Sequence, residues 1–216
     1  MTREAAVTVL ISGRGSNLKA LIEHQEGYRI GAVIANKRDA GGLQFANEHG
    51  IPSVIVERES SQTLADFKAA VLEATLATRP NFVALAGFML VLQPKFIEAF
   101  KGRIINIHPS LLPQFPGLDT HARAVESGVR HHGCTVHYVD TGVDTGPLIA
   151  QASLELRPSD DAQSAAARVL TLEHALYPWA LSCIARGEIQ LEGSTVVYSE
   201  VAEHEARRRG FEIFPS

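Results

Sequence analysis

The sequence predicts an α/β fold in which a mostly parallel, twisted sheet is flanked by helices on both faces. Short apolar runs that suit buried strands alternate with segments of helical periodicity, as a parallel sheet requires. The first strand leads through a glycine-rich turn into a helix. The chain has 216 residues, of which 45% are hydrophobic, enough for one large α/β domain or two small ones.

Four predicted strands, each followed by a helix or an apolar loop, occupy the first hundred residues. The strands are residues 7–11, 30–35, 52–56 and 82–86, and the helices are residues 18–24, 43–49, 62–78 and 95–100. We expect Ser16 or Asn17 to cap the first helix. An apolar segment over residues 87–92 follows the fourth strand and includes Met89, Leu90, Val91 and Leu92. Periodicity alone favours a core role for it, and the alternative is a wall for a flat aromatic ligand.

A buried strand near the middle of the chain carries two polar side chains. Residues 103–117 read RIINIHPSLLPQFPG, and the isoleucines suit a pleated, buried strand. Asn106 and His108 are two residues apart, so on an extended chain they point to the same face. Pro109 removes a ladder donor and ends the strand. Because ligands bind at the carboxyl ends of strands in open α/β sheets, we expect a binding site here rather than two satisfied core groups.

The second half of the chain is predicted to contain two more strands, two helices and a hairpin. The strands are residues 133–139 and 148–156, the helices are residues 120–127 and 160–186, and the hairpin covers residues 189–198. We expect Ser159 to cap the long helix and Pro178 to kink it. From Glu203 onward we expect a peripheral or disordered tail.

An acidic loop separates the last two strands of the predicted sheet. It reads DTGVDTGP over residues 140–147, and two acids and two glycines in eight residues indicate a shaped loop. A plain polar turn is one interpretation, and the return of one carboxylate to the imidazole of His108 is the other. We expect His131 and His132 to be solvated loop residues, while His121 and His137 are candidates to line the pocket.

The turn after the first strand is a candidate anion site. It reads SGRGSN over residues 12–17, between a strand and a helix N-terminus. Free backbone N–H groups and the helix dipole favour negative charge there, which predicts that Gly15, Ser16 and Asn17 bind a phosphate. The dinucleotide fingerprint and the P-loop both fail at Leu18, so a tight turn without a ligand is the alternative from the motif alone.

Charge and cysteine content exclude several classes of protein. The net charge is −4 and the pI about 6.1, which is unlike the basic footprint of a nucleic-acid binder. No stretch approaches the ~20 apolar residues of a membrane span. Cys134 and Cys183 give neither a disulfide framework nor metal-ligand spacing. We therefore expect a cytoplasmic protein without nucleic-acid partners, membrane contact or a required metal.

Five motifs together resemble one enzyme family. They are SGRGSN, AGFML, NIHPSLLP, DTGVDTGP and LEHALYP, in this order along nearly the whole chain. This set resembles the folate-dependent glycinamide ribonucleotide formyltransferases of purine synthesis. The resemblance implies a Rossmann-like formyltransferase fold. It also implies transfer of a formyl group from 10-formyltetrahydrofolate to the amine of glycinamide ribonucleotide, by a monomer or homodimer.

The resemblance also assigns roles to particular residues. The catalytic positions of the family match Asn106, His108 and Asp144. Its phosphate-binding turn matches residues 15–17, and the acid that holds the ribose hydroxyls matches Glu173. Periodicity alone instead predicts that Glu173 lies on a half-exposed helix face, where it would hold no ribose. The folate-binding positions of the family match the following residues: Met89, Leu90, Val91, Leu92, Asn106, Asp140, Thr141, Gly142, Val143 and Asp144.

The expected organisation is a single formyltransferase domain over residues 1–216. Residues 1–100 would form the phosphate-binding half, residues 101–200 the catalytic and folate-binding half, and residues 203–216 a tail. Two positions depart from the family pattern, since Leu64 and Leu170 stand where some members carry a basic and a polar residue.

The implied chemistry is direct transfer through a tetrahedral intermediate. Amine attack on the formyl carbon creates an oxyanion, for which the Asn106 amide and the ring N–H of His108 are suitable donors. A nearby carboxylate favours protonated His108, and Asp144 would supply it and also carry the excess proton.

Three other functions remain as alternatives. A formyltetrahydrofolate hydrolase or a methionyl-tRNA formyltransferase would use the same three residues with a different acceptor. Such enzymes usually carry an extra regulatory or basic domain, for which we expect no room here. A non-catalytic nucleotide-binding module would explain the glycine turn but not Asn106, His108 and Asp144.

Overall fold

Alternating strands and helices build a seven-stranded sheet in the part of the chain that the computed structural model describes, residues 4–215. Three strand pairs near the N-terminus are parallel and the last pair is antiparallel, which confirms the predicted α/β class with a mostly parallel sheet. Two further strands form a separate hairpin. The chain divides into two compact units, Met1–Ile105 and Asn106–Ser216.

The first unit contains the parallel strands. Its elements are β1 (Ala5–Ile11), α1 (Ser16–Glu23), β2 (Tyr28–Ala35), α2 (Gly42–Glu48), β3 (Ser53–Ile55), α3 (Leu64–Ala77), β4 (Phe82–Leu85) and α4 (Pro94–Ala99). The strands lie in the order β3-β2-β1-β4, and Val9, Leu10 and Ile11 at the end of β1 are fully buried. Buried apolar runs of this kind are what the interior strands of a parallel sheet require.

The start of α1 differs from the sequence-based expectation. Neither Ser16 nor Asn17 caps the helix, because α1 begins at Ser16 and the N-cap position belongs to Gly15, with no side-chain cap hydrogen bond. Gly15 has φ 76°, and a Cβ there would lie 2.3 Å from the Cα atom of Gly42. Two independent features therefore require glycine at position 15: the left-handed backbone and the close approach of the α2 backbone.

The second unit contains the rest of the sheet, the hairpin and the longest helix. Its elements are β5 (Ile104–His108, which contains the unit boundary), α5 (Thr120–Ser127), β6 (His131–Tyr138), β7 (Leu148–Glu155), α6 (Ala162–Ala185), β8 (Ile189–Glu192), β9 (Thr195–Tyr198) and α7 (Glu200–Arg209). The order β5-β6-β7 completes the sheet, and β8 pairs antiparallel with β9 as the predicted hairpin. Although α6 has 24 residues, no helix within residues 4–215 is both long and apolar enough to cross a membrane.

The structure corrects one prediction at the C-terminal end and decides between two alternatives in another. Ser159 does not cap α6, because Asp161 and Ser164 form a reciprocal capping box two residues later. Of the two alternatives for the segment from Glu203, peripheral or disordered, residues 203–215 favour the first: residues 203–209 lie in α7, and Glu212 pairs with Gln151 through two backbone hydrogen bonds. The tail is therefore part of the second unit.

Candidate active site

Four polar side chains of the second unit form a chain of contacts at the end of β5. The Nδ1 atom of His108 lies 3.4 Å from Oδ2 of Asp144, and Nε2 of His137 lies 3.6 Å from Oδ1 of the same carboxylate. The Nδ2 atom of Asn106 lies 3.1 Å from Nε2 of His137. The structure thus brings together Asn106, His108 and Asp144, as the sequence led us to expect, and adds His137 as the residue that links them.

The acidic loop between β6 and β7 carries Asp144 to this point. Because β6 and β7 are antiparallel neighbours, the loop that joins them begins and ends at the same end of this strand pair. The side chain of Asp140 closes the loop by accepting hydrogen bonds from the Gly142 N–H at 3.0 Å and the Thr145 hydroxyl at 2.8 Å. Asp144 itself has φ 54°, a left-handed conformation that is uncommon outside glycine and is found at functional sites.

The proline-rich loop after β5 holds both members of the His108–Asp144 pair. The carbonyl of Phe115 accepts a hydrogen bond from Nε2 of His108 at 3.0 Å. The backbone N–H of Gly117 donates to Oδ2 of Asp144 at 2.9 Å. The peptide bond between Leu112 and Pro113 is cis. One short loop therefore supplies an acceptor to the imidazole and a donor to the carboxylate.

The protonation of His108 differs from the sequence-based expectation. We expected the neighbouring carboxylate to favour the imidazolium. Burial instead lowers the pKa of His108, and this effect exceeds the opposite effects of the Phe115 carbonyl and of Asp144. His108 is 5% exposed, so the charged form loses most of its hydration. At neutral pH the pair therefore consists of a carboxylate and a mostly neutral ring.

The carboxylate of Asp144 remains ionised. Burial alone would raise its pKa, but the contacts with His137, the Gly117 N–H and His108 together lower the pKa below the usual range. Asp144 is therefore a charged acceptor in a poorly hydrated site, where a charge acts more strongly than in water.

Hydrogen-bond partners indicate how Asn106 is oriented. Nδ1 of His137 lies 2.9 Å from the Tyr138 carbonyl, which can only accept, so Nδ1 carries the hydrogen. The Nδ2 atom of Asn106, which can only donate, lies 3.1 Å from Nε2 of the same ring. The second N–H of the Asn106 amide points away from this ring. A register shift between Val136 and His137 marks a bulge at this point of β6, a feature that re-aims side chains beside sites.

A second pair of histidines lies under the proline-rich loop. His132 was expected in a solvated loop, but it belongs to β6, is 1% exposed and lies with Nε2 3.0 Å from Nδ1 of His121. Its ring meets Phe115 edge-on. Burial, with smaller effects of His121 and His108, lowers the pKa of His132 to about 4. His131 also lies in β6 rather than in a loop, but it is exposed as expected.

The remaining predicted site residues lie on both units. In the first unit, Gly15, Ser16 and Asn17 form the β1–α1 turn, and residues 89–92 form an irregular loop after β4. Met89 and Val91 expose 69% and 65% of their surface, so the core interpretation of this segment is wrong. In the second unit, Glu173 is buried within α6 rather than half-exposed.

Neither cysteine is available as a nucleophile. Cys134 and Cys183 are free and buried, and burial raises the pKa of both thiols, that of Cys183 to about 12. A thiol with a raised pKa holds little thiolate at neutral pH.

Sequence reasoning missed three groups of the site. His137 was only a candidate to line the pocket, and its position as a polar residue inside a predicted strand could have signalled more. The carbonyl of Phe115 and the N–H of Gly117 are backbone groups, which no side-chain pattern identifies. Gly117 at the end of a loop with three prolines was the only local hint.

Both the sequence and the structure are similar to those of known formyltransferases. Residues 5–181 match the formyl transferase family. Phosphoribosylglycinamide formyltransferase of Escherichia coli (strain K12) is 40% identical over 189 residues, which cover 86% of this chain and 89% of that protein. The crystal structure of glycinamide ribonucleotide transformylase 1 from Symbiobacterium toebii superposes with a TM-score of 0.88 at 37% identity, covering 93% of this chain and 96% of that one.

One group of relatives is much longer. The trifunctional purine biosynthetic protein adenosine-3 of Drosophila melanogaster is 42% identical over 191 residues, and these cover 86% of this chain. The chain spans only 14% of the length of that relative.

Proposed function

The chain belongs to the formyl transferase family, and on that premise we propose that it transfers the formyl group of 10-formyltetrahydrofolate to the primary amine of glycinamide ribonucleotide, a step of purine biosynthesis. The single observation that carries the proposal is the ionised carboxylate of Asp144, 3.4 Å from Nδ1 of His108. Acyl transfer to an amine needs such a proton-carrying pair beside an oxyanion donor.

The reaction is a direct transfer. The substrate amine attacks the formyl carbon and forms a tetrahedral centre with an oxyanion and a cationic nitrogen. Collapse of this centre breaks the bond to the folate nitrogen, which leaves with a proton. Buried thiols with raised pKa values offer no covalent alternative.

Asn106 is the proposed primary donor to the oxyanion. One N–H of its amide is engaged with His137, which fixes the plane of the amide, and the second N–H is free to donate. A donor held in advance costs no reorganisation when the negative charge develops, and such a donor typically contributes ~10²–10³ in turnover.

His108 is the proposed second donor. Its Nε2–H is held by the Phe115 carbonyl at 3.0 Å in this structure. A charged oxyanion is a stronger acceptor than a neutral carbonyl, so the hydrogen can be shared with the oxyanion as the negative charge forms. The interaction is then stronger in the transition state than in the ground state, which is what acceleration requires.

Asp144 is the proposed carrier of the excess proton. The attacking amine becomes acidic once it is bonded to the formyl carbon, and the carboxylate can accept its proton directly or through a water molecule. Donation of that proton to the folate nitrogen completes the transfer. The neighbouring ring of His108 can hold part of the positive charge, because its Nδ1 faces the carboxylate.

The binding roles are proposals of the same kind. We assign the phosphate of glycinamide ribonucleotide to the turn of residues 15–17 and its ribose hydroxyls to Glu173. We assign the folate to residues 89–92, residues 140–144 and Asn106. Two free, buried cysteines fit a reducing cytoplasm, and we propose no partners besides the two small molecules, for a monomer or a homodimer.

The test is a spectroscopic assay of folate deformylation with and without glycinamide ribonucleotide. Transfer predicts turnover that requires the acceptor and yields formylated product in equal amount. Equal turnover without the acceptor would make the chain a hydrolase and overturn the proposal. Turnover only with charged methionyl-tRNA would replace the acceptor and likewise overturn it.

A further inference from the structure

A buried serine and the imidazole of His108 share one hydrogen-bond acceptor. Ser110 is fully buried, and its Oγ lies 2.6 Å from the carbonyl oxygen of Gln114 and 3.2 Å from that of Phe115. A hydroxyl has one hydrogen, so Ser110 shares it between two successive carbonyls. The Phe115 oxygen is also the acceptor for Nε2 of His108. A single carbonyl therefore connects the hydroxyl to the ring.

The two carbonyls that Ser110 contacts determine the conformation of Phe115. They belong to the peptide units on either side of the Phe115 Cα atom, so fixing both limits the two backbone dihedral angles of this residue. Phe115 has φ 52°, in the left-handed region that bulky residues rarely occupy. Such a conformation persists only where surrounding contacts impose it. The Ser110 hydroxyl is the contact that bridges both peptide units.

Ser110 is itself held by a saturated hydroxyl on β6. The Oγ1 atom of Thr135 donates to the Ser110 carbonyl at 2.6 Å and accepts from the Leu112 N–H and from Nε2 of Gln151. One donated and two accepted hydrogen bonds use the full capacity of a hydroxyl. Gln151 also donates to the Leu112 carbonyl at 2.8 Å. The loop is thus attached to β6 and β7 through buried polar groups.

The two neutral forms of His108 differ in whether Nε2 can donate a hydrogen bond to an oxyanion. With the hydrogen on Nε2, the ring can donate toward an oxyanion. With the hydrogen on Nδ1, the ring donates to Asp144 and presents a lone pair at Nε2, which repels an oxyanion. Which form is present depends on the hydrogen bond that the other nitrogen makes. Asp144 favours the second form, and among the contacts of His108 within residues 4–215 the Phe115 carbonyl favours the first.

We propose that Ser110 is a positioning residue that, through the Phe115 carbonyl, keeps the hydrogen of His108 on Nε2. Its effect on turnover rests on the proposed function, whereas its effect on the ring does not. The titratable and charged groups that face His108 from the neighbouring elements are Asp144, His137, His132, His121 and Arg123. None of these groups is altered by a substitution at Ser110.

The test is NMR spectroscopy of the histidine ring nitrogens in Ser110→Ala, with His108→Gln used to identify the His108 signals. Nitrogen shifts distinguish the two neutral forms directly. In the unsubstituted protein we expect the hydrogen on Nε2. In Ser110→Ala we expect a substantial population with the hydrogen on Nδ1, together with a lower His108 pKa, because the carbonyl that raises it is no longer held.

The kinetic readout separates this inference from the proposed function. We expect kcat for formyl transfer to fall about tenfold in Ser110→Ala, while KM for both substrates stays within about twofold. Ser110→Cys, which retains the shape and a weak donor, should be intermediate in both readouts. If the chain transfers no formyl group, the ring measurement still decides the role of Ser110.

Thr75→Val is the matched control. Thr75 is also fully buried, and its hydroxyl donates to the Val71 carbonyl at 2.7 Å within α3. It should lose a comparable amount of stability and leave the His108 signals unchanged. An unchanged form of His108 in both Ser110 variants overturns the inference, as does an equal change in Thr75→Val.

Discussion

Replacing Asp144 by asparagine tests the centre of the proposed mechanism. The substitution keeps the shape of the side chain, and its amide oxygen can still accept the Gly117 N–H now bonded at 2.9 Å. It removes the negative charge that lies 3.4 Å from Nδ1 of His108, and it removes the proton carrier. The fold should persist, because the loop remains closed by Asp140 and Thr145.

The expected loss is about 10³-fold in kcat. General acid–base catalysis by a positioned group contributes ~10²–10⁴, and the loss corresponds to about 4 kcal/mol of activation free energy. The assay follows folate deformylation in the presence of saturating glycinamide ribonucleotide. Glu155→Gln is the control, since it removes one exposed acid that pairs with Arg130 at 3.0 Å and should change kcat less than about twofold. A kcat of Asp144→Asn within tenfold of the unsubstituted protein would refute the assigned role.

Three further predictions concern the rest of the molecule. Gly15→Ala places a Cβ 2.3 Å from the Gly42 Cα atom and so distorts the turn. We therefore expect KM for glycinamide ribonucleotide to rise about tenfold or more, with folate affinity nearly unchanged. Equal losses of affinity for both ligands would contradict a phosphate site in this turn. Asn106→Ala should lower kcat ~10²–10³-fold with unchanged thermal stability, and a kcat near that of the unsubstituted protein would remove Asn106 as the oxyanion donor. Burial lowers the pKa of His132 from 6.5 to about 4, so the stability contributed by the neutral ring is complete above pH 6.5 and is lost as the pH falls toward 4. Urea denaturation across this range should record a loss of about 3 kcal/mol that is absent in His132→Gln, and parallel pH profiles of the two proteins would count against this contribution.

Local chemistry made much of the fold predictable from the sequence. Helix α5 occupies the predicted residues, because Gly128 supplies the left-handed C-cap that ends it. Strand β5 ends at His108, where Pro109 removes the next donor. Alternation of strands and helices is likewise a property of neighbouring residues, so the class of the fold followed from it. Where two local signals competed, as for the cap of α6, the capping box of Asp161 and Ser164 prevailed over Ser159.

Features that depend on distant neighbours could not be predicted in this way. His132 looked like a solvated loop residue, but β7 pairs beside it and His121 and Phe115 cover it. For His108 the sequence suggested a carboxylate partner but did not indicate the degree of burial that lowers its pKa.

The sequence by itself determined the class of the fold, the motif order that resembles one enzyme family, and the three side chains on which the chemistry is proposed to depend. Only the tertiary structure decided that His137 links Asn106 to Asp144, and that the backbone of the proline-rich loop binds both His108 and Asp144. The physical reason is that propensity, capping and turn formation act over a few residues, whereas hydrogen-bond partners and desolvation depend on groups brought together from distant parts of the chain.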